Sequence, residues 1–251
     1  MPTCAPSPDV LSLLLAAAVA LPAPADLPTV PRLIQTAQPV YCAGAAGRRF
    51  ALTFDDGPSP YTQQLVRVLR REGGRATFFD VGSRVGIWPA GARASNRVGE
   101  LGNHTWSHAN LAGLSPLAAW RELSSTQREI GHAVGAVPRL FRPPYAEARH
   151  VDDLLGRELG LLDVRWSVDG RDARLGANPA ATIRAVVKGL RPGAIVLLHD
   201  LHPWTPAVAR AVLRSAHRKG LRAVTVSELL AGQPPAARQL GSEGVTRCPV
   251  P

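Results

Sequence analysis

The feature that most constrains the fold is a steady alternation of β-type runs and helical patterns that starts at Arg48. Segments with apolar residues at helical spacing, such as YTQQLVRVLRREG and TPAVARAVLRSAHRKG, separate several of the runs. This alternation is typical of a parallel sheet with crossover helices. It predicts one α/β domain, a distorted (β/α) barrel with about seven parallel strands, although an open doubly wound sheet has the same local pattern. The β-type runs are RFALTF (49–54), RATFFDV (75–81), GELGN (99–103), PRLFR (138–142), LLDVRWSV (161–168), GAIVLLH (193–199) and LRAVTV (221–226).

The N-terminal segment has the features of a removable leader. LSLLLAAAVALPAPA (11–25) is a short apolar stretch that ends in a small-x-small pattern before Asp26. It lacks the Lys or Arg that usually precedes such a stretch, so a disordered Ala/Pro leader is the alternative. We expect a secreted protein, extracellular or wall-associated. Its regions are a signal peptide at 1–25, an N-terminal extension at 26–47, the main domain at 48–231 and a C-terminal tail at 232–251.

The cysteines fit the same interpretation. Removal of the leader takes Cys4 with it and leaves Cys42 and Cys248. An even pair in an exported protein predicts a disulfide that ties the two ends of the domain together, although two unpaired thiols would give the same sequence. No apolar run approaches the roughly 18 residues that span a bilayer, so we expect no stable membrane insertion.

The charge of the chain limits its partners. A net charge of +10 favours polyanions, and acidic cell-wall polymers remain candidates. The arginines are scattered and aromatic residues are only 5% of the chain, which argues against a nucleic-acid groove. We expect a monomer.

Polar residues follow the β-type runs at the positions where a parallel barrel places its chemistry. Asp55 and Asp56 end the first run, and the motif GNHTWSH puts His104 and His108 four residues apart after the third. If that loop forms a helical turn, both imidazoles point the same way and can share one ion. Two histidines and one carboxylate suffice for a catalytic divalent-metal site, and the cation would remove the repulsion between the adjacent aspartates.

These residues belong to a larger pattern. From Arg48 to Leu230 the chain resembles the polysaccharide deacetylases with the NodB homology domain, carbohydrate esterase family 4, which remove acetyl groups from chitin oligomers, peptidoglycan or xylan. The resemblance rests on five motifs in the family's order, with strand and helix spacing between them. They are TFDDGPS (53–59), HTWSH (104–108), RPPY (142–145), WSVDGRD (166–172) and LLHD (197–200).

The resemblance implies a role for each matching residue. Asp55 matches the family's general base, and Arg142 matches the arginine that orients it. Asp56, His104 and His108 match the metal ligands, usually of zinc, with cobalt or another divalent ion also accepted. His199 matches the general acid, and Asp172 its carboxylate partner. The residues matched to substrate contacts are Tyr145 through its backbone N–H, Leu197 at the acetyl methyl group, Pro143 and Trp166.

One departure concerns the wall of the acetyl pocket. The family's fourth motif continues D-x-x-D-W, whereas this chain has Ala173 after Asp172. Trp204, Trp106 or Trp166 are candidates to supply an aromatic wall from other loops.

The resemblance implies a secreted deacetylase acting on N-acetylated glycans, with peptidoglycan or chitin-type oligomers ahead of acetylated xylan. An acetylxylan esterase and a non-catalytic wall-binding protein on the same fold are the alternatives. A two-carboxylate glycosidase using Asp55 with Asp169 or Asp172 would leave both histidines unused. A two-histidine, one-carboxylate iron oxygenase would leave the RPPY motif and His199 unexplained.

Overall fold

The computed structural model describes residues 29–174, 178–236 and Cys248. The segment predicted as a signal peptide lies outside these residues, as do 237–247 and 249–251 of the expected tail. The strands are β1 (Arg49–Gly57), β2 (Ala76–Asp80), β3 (Gly99–Asn103), β4 (Leu140–Phe141), β5 (Leu162–Asp163), β6 (Val168–Asp169), β7 (Ile195–His199) and β8 (Arg222–Val224). The helices are α1 (Thr29–Thr36), α2 (Thr62–Arg71), α3 (Gly82–Ile87), α4 (Pro89–Val98), α5 (Pro116–Val134), α6 (His150–Glu158), α7 (Pro179–Gly189), α8 (Thr205–Arg218) and α9 (Val226–Gly232).

The strands form one parallel sheet. Seven of them lie in the order β5-β4-β3-β2-β1-β7-β6, and β8 pairs with the beginning of β1. The sheet curls into a half-barrel, so the predicted distorted barrel with about seven parallel strands is confirmed. The weakest of the seven runs, GELGN, forms β3.

The two edges of the row come together through the chain itself. The single run expected at 161–168 divides into β5 at one edge and β6 at the other, so only residues 164–167 cross the gap. The segment before β1 enters this gap: the Val40 N–H donates to Asp163 O at 2.9 Å, and the Arg165 N–H donates to Val40 O at 2.7 Å. Part of the expected N-terminal extension therefore closes the sheet.

Two apolar layers enclose the sheet. Phe50, Leu52 and Phe54 of β1 pack outward against the helices, whereas Ala51 belongs to a second cluster inside the curl. Helix α1 adds Val30, Leu33 and Ile34 to that inner cluster. A strand covered on both faces reads as a nearly continuous apolar run, as RFALTF does.

Local signals fix the ends of several helices. The Ser115 side chain accepts the Ala118 N–H at the start of α5, and Gly135 ends that helix with a φ of 72°, which glycine adopts without strain. At α9, Thr225 and Glu228 form a reciprocal capping box.

The predicted disulfide is present. Cys42 and Cys248 are bonded with their Cα atoms 6.0 Å apart, across a separation of 206 residues. Within the described part of the chain, no helix has both the length and the apolar character needed to cross a bilayer.

Candidate active site

One cavity of about 420 Å³ opens at the carboxyl ends of the strands. It is lined by both adjacent aspartates and by side chains from the loops after β3, β4, β6 and β7. All the sequence-predicted site residues gather here, with Arg142 and Asp172 directly behind the lining residues. The lining ones are Asp55, Asp56, His104, His108, Pro143, Tyr145, Trp166, Leu197 and His199.

Asp56, His104 and His108 form a compact cluster. The Asp56 Oδ1 atom lies 3.2 Å from Nε2 of His104 and 3.0 Å from Nε2 of His108. This oxygen is buried without a hydrogen bond, although burial normally requires one. Burial raises the pKa of the Asp56 carboxyl, but the two imidazoles outweigh burial and hold that pKa below its usual range. An unpaired carboxylate oxygen facing two imidazole nitrogens fits a divalent cation.

The second nitrogen of His104 is also fixed. Its Nδ1 lies 2.6 Å from the carbonyl oxygen of Arg142, so this nitrogen carries the proton and donates it. In this tautomer Nε2 can offer its lone pair to a cation, and such a backbone contact is the usual way to orient a metal-binding histidine.

The backbone around the cluster differs from the expected helical turn. Residues 104–108 form an irregular loop, in which Thr105 and His108 have φ values of 63° and 62°. The helical-turn expectation is therefore wrong. The loop still brings the imidazoles together, with ring centroids 5.0 Å apart. Left-handed backbone at residues other than glycine costs energy and is concentrated at functional sites.

Asp55 is held by a buried arginine. Arg142 Nη1 donates to Asp55 Oδ1 at 2.7 Å and to Thr53 Oγ1 at 2.8 Å. Its other nitrogens donate to the carbonyls of Val164 and Arg165, at 2.8 and 3.1 Å. Burial lowers the pKa of Arg142 and the Asp55 charge opposes this, so the guanidinium stays protonated beside the carboxylate.

His199 and Asp172 form a second buried pair. The Asp172 Oδ1 atom lies 2.8 Å from Nδ1 of His199, and Oδ2 accepts the His199 backbone N–H at 2.7 Å. Burial alone would lower the pKa of His199. The Asp172 carboxylate, with smaller contributions from Asp55 and Asp56, outweighs burial and raises that pKa to about 9.

Of the three candidate tryptophans, Trp204 and Trp106 do not replace the missing aromatic wall beside Ala173. Trp204 stacks on His202, with ring centroids 4.3 Å apart and planes at 5°, and packs against the outer core. Trp106 stands against α3, where a Cβ on Gly82 would meet its ring at 2.7 Å. Trp166 lines the cavity, as predicted, and His202 lines it as well.

The loop after β4 presents a backbone donor to the cavity. Tyr145 has a φ of 60°, and within the described residues its N–H donates no hydrogen bond. The carbonyl of the next residue, Ala146, accepts from Arg165, whose Nε bonds both oxygens of Asp163 at 2.8 and 2.9 Å. Sequence reasoning missed this buried support for the loop. The available signal was a pair of opposite charges two residues apart in the apolar run LLDVRW.

A curled parallel sheet with an Asp/His/His cluster and an arginine-held aspartate at its carboxyl edge defines an α/β barrel protein with a metal-type site. A family model for polysaccharide deacetylase matches residues 44–162. The chain is 33% identical over 211 residues to the peptidoglycan-N-acetylglucosamine deacetylase PgdA of Listeria monocytogenes. The aligned region covers 83% of this chain but only 42% of that protein. The chain thus spans less than half the length of this relative.

Solved structures show the same fold over most of this chain. A family 4 carbohydrate esterase from Streptomyces lividans, in complex with acetate, is 35% identical with a TM-score of 0.67, over 70% of this chain and 92% of that one. A family 4 pseudoenzyme from Bacillus anthracis is 25% identical with a TM-score of 0.72, over 76% and 68%. The chain belongs to the polysaccharide deacetylases, carbohydrate esterase family 4. Because its structural relatives include a pseudoenzyme, activity has to be argued from the site residues.

Proposed function

We propose that this chain is a secreted, metal-dependent deacetylase that removes acetyl groups from N-acetylated glycans, with peptidoglycan or chitin-type oligomers as substrates. The observation that carries the proposal is a complete set of groups around one cavity. Asp55 is held by Arg142, the Asp/His/His cluster lies beside it, and His199 is held by Asp172. Metal-assisted hydrolysis of an amide uses each of them: a base, a site for a Lewis acid and an acid for the departing amine.

The Asp/His/His cluster supports a resident cation. Imidazole nitrogens with one carboxylate suit zinc first and also cobalt or other divalent ions, and three protein ligands leave positions open. When bound, such an ion lowers the pKa of a coordinated water and polarises the acetyl carbonyl. Asp55 accepts the proton of the attacking water, and Arg142 holds that carboxylate in place beforehand.

The remaining groups act on the oxyanion, on the departing amine and on the acetyl methyl group. The unbonded N–H of Tyr145 is positioned to donate to the carbonyl oxygen as negative charge develops on it. The His199 imidazolium then donates a proton to the amine nitrogen as the carbon–nitrogen bond breaks, which gives acetate and a free amino sugar. Leu197, at the cavity floor, offers an apolar contact to the acetyl methyl group.

Two features support export. The leader at 1–25 has the composition of a signal peptide, and the Cys42–Cys248 disulfide is of the kind that persists in oxidising compartments. The Listeria relative is named for peptidoglycan, which favours a wall glycan over xylan.

The proposal is tested by acetate release from N-acetylglucosamine oligomers, peptidoglycan and acetylxylan. We expect release from the N-acetylated substrates, its loss on chelation and its recovery on zinc addition. Asp55→Asn should lower kcat about 10²- to 10⁴-fold, the range of a general base. Glu158→Gln is the control, because it removes an exposed carboxylate that pairs with Arg157 on α6, away from the cavity.

Each alternative predicts a different result. If no acetate is released from any substrate with zinc present, the result would favour a non-catalytic wall-binding protein. Release from acetylxylan alone would indicate an esterase, and cleavage of glycosidic bonds that survives chelation would indicate a glycosidase. Full activity of Asp55→Asn would exclude Asp55 as the base.

A further inference from the structure

A second cavity lies next to the catalytic one. It measures about 540 Å³ and is lined by residues that follow β6 and by residues of helix α7. Asp169, Arg171 and Arg174 line both cavities, so the two are neighbours. We call this second cavity the basic groove, defined by Arg171, Arg174, Lys188 and Arg191.

The charge of the basic groove is unbalanced. Leaving Arg191 aside, its described lining contains the cationic side chains of Arg171, Arg174 and Lys188 and one carboxylate, that of Asp169. Asp169 is already engaged: Oδ1 accepts the backbone N–H of Arg171 at 2.7 Å, and Oδ2 lies 3.9 Å from Arg174 Nη2. Within the described chain, no acidic side chain pairs with the Arg171 guanidinium or with the Lys188 ammonium.

Some other surface arginines are paired with acids, whereas Arg67, Arg70, Arg93 and Arg97, which line a separate cavity, have no acidic partner among the described residues. Arg214 pairs with Glu72 at 3.1 Å, and Arg75 pairs with Glu228 at 3.0 Å. Arg171 and Lys188 are both exposed, so their charges are available to a ligand that enters the groove. A cleft lined by charges of one sign raises the local concentration of ligands that carry the opposite charge.

The groove lies beside the catalytic cavity, which limits where such an anion can be on the substrate. Ala173 lies in the sequence between Arg171 and Arg174 and lines the catalytic cavity with only a methyl group. A glycan strand whose acetamido group reaches Asp55 would extend past Ala173 toward the groove that shares Arg171 and Arg174 with this cavity. An anion recognised there would then belong to the same strand as the acetyl group. The acidic group that such sugars carry themselves is a carboxylate, on an ether-linked acid or a uronic acid.

We propose that the basic groove binds carboxylates of the substrate strand, so that the preferred substrate is an acidic N-acetylated glycan rather than a neutral one. This inference rests on the proposed deacetylase activity and names its substrate class. Arg171 and Lys188 act as specificity-determining residues, because a guanidinium and an ammonium both pair with carboxylates.

The test compares three substrates: a neutral N-acetylglucosamine oligomer, an oligomer alternating N-acetylglucosamine with N-acetylmuramic acid, and the same acidic oligomer with its carboxylates converted to methylamides. The measured quantity is kcat/KM for the carboxylate form divided by that for the amide form. We expect a ratio of about three to ten in the wild type at low salt, falling with added NaCl, since exposed ion pairs are weak and screened.

Two substitutions on α7, Lys188→Gln and Arg184→Gln, separate the effect of the groove from that of net charge. Lys188→Gln, alone and combined with Arg171→Gln, should bring the ratio toward one. Arg184→Gln removes the same charge one turn earlier on α7, but Arg184 faces the α8 side and lines a different cavity. It should keep the wild-type ratio.

The possible failures are distinguishable. A wild-type ratio near one, with the neutral oligomer still deacetylated, would overturn the role of the groove and leave the deacetylase intact. An equal fall of the ratio in Arg184→Gln would overturn it too, because the effect would then be one of net charge. No acetate from any of the three substrates would refute the deacetylase and this inference together.

Discussion

Asp55 and Asp56 are adjacent in the sequence, yet their carboxylates have different partners in one cavity. In a regular strand, neighbouring side chains point to opposite faces of the sheet, so one of the two would face the helices. Asp56 instead has a φ of 68°, and the pairing of β1 with β2 shifts register between Asp55 and Gly57. Arg84 Nη1 donates to the Asp56 carbonyl at 2.8 Å and holds this bulge. Both carboxylates can thus serve the cavity, Asp55 toward Arg142 and Asp56 toward the histidines.

The pair of His199 and Asp172 predicts a pH dependence. The proposed acid works only while protonated, so a raised pKa preserves activity at neutral pH and activity falls as pH rises through that pKa. Asp172→Asn removes the carboxylate that raises the pKa of His199 toward 9. The alkaline limb of the pH–rate profile for acetate release should then move down by about one to three pH units, the usual effect of one adjacent charge.

The control for this shift is Glu158→Gln, which removes an exposed carboxylate that lies outside the cavity and pairs with Arg157. Its alkaline limb should match that of the wild type. An unchanged limb in Asp172→Asn would show that another group sets the upper pH limit.

The sequence predicted most of the site at this scale, for a physical reason. A metal ligand set, a base and an acid need particular side chains, and parallel strands bring their carboxyl ends to one edge. The bulge at Asp56 and the left-handed His108 could not be predicted, because they depend on pairing between β1 and β2 and on packing of the β3 loop. The surroundings of Ala173 could not be predicted either, since the orientation of Trp204 depends on His202 and on core contacts.

Helix α1 and the segment after it act as one structural element. No strand or helix was predicted within 26–47, because a helix as short as the eight residues of α1 has too few apolar positions to show a clear period. In the structure, α1 lies against α9, α6 and β5, and Val40 bridges the gap between the sheet edges. This segment therefore supports the β5–β6 connection, which supplies the Val164 and Arg165 carbonyls that hold Arg142.

The contribution of α1 can be measured with a pair of variants. Leu33 is 4% exposed within the inner cluster, so Leu33→Ala should lower the free energy of unfolding by about 2 to 5 kcal/mol. Gln35 is exposed on the same helix, and Gln35→Ala should change it by no more than about 0.5 kcal/mol. Equal effects of the two variants, measured by denaturant unfolding, would show that α1 does not contribute to the core.

At the scale of the whole molecule, the alternation of runs predicted the class of fold, because a parallel sheet requires a crossover between each pair of strands. The strand order and the closure of the sheet required the structure. Residues 164–167 pass from one edge to the other, a path that no local pattern encodes and that depends on Val40 filling the gap.

The disulfide links the segment before β1 to the C-terminal tail. Cys42 follows the bridge at Val40 and pairs with Ala194 beside β7, so its position is fixed by the sheet edges. Cys248 lies 206 residues further along the chain. In the chain-entropy model, a cross-link over so long a loop restricts mainly the unfolded state, and its removal costs about 2 to 5 kcal/mol. Cys248→Ser, in the protein beginning at Asp26 and therefore lacking Cys4, should lose that much unfolding free energy.

Reduction provides the matched comparison. Dithiothreitol should destabilise the wild type to the level of Cys248→Ser and leave the variant unchanged, because both treatments remove the same constraint. Acetate release below the unfolding transition should survive in both, since the bond lies at the sheet edge and the catalytic cavity at the carboxyl ends of the strands. If activity were lost while the protein remained folded, the bond would also be holding the β5–β6 connection and, through it, Arg142.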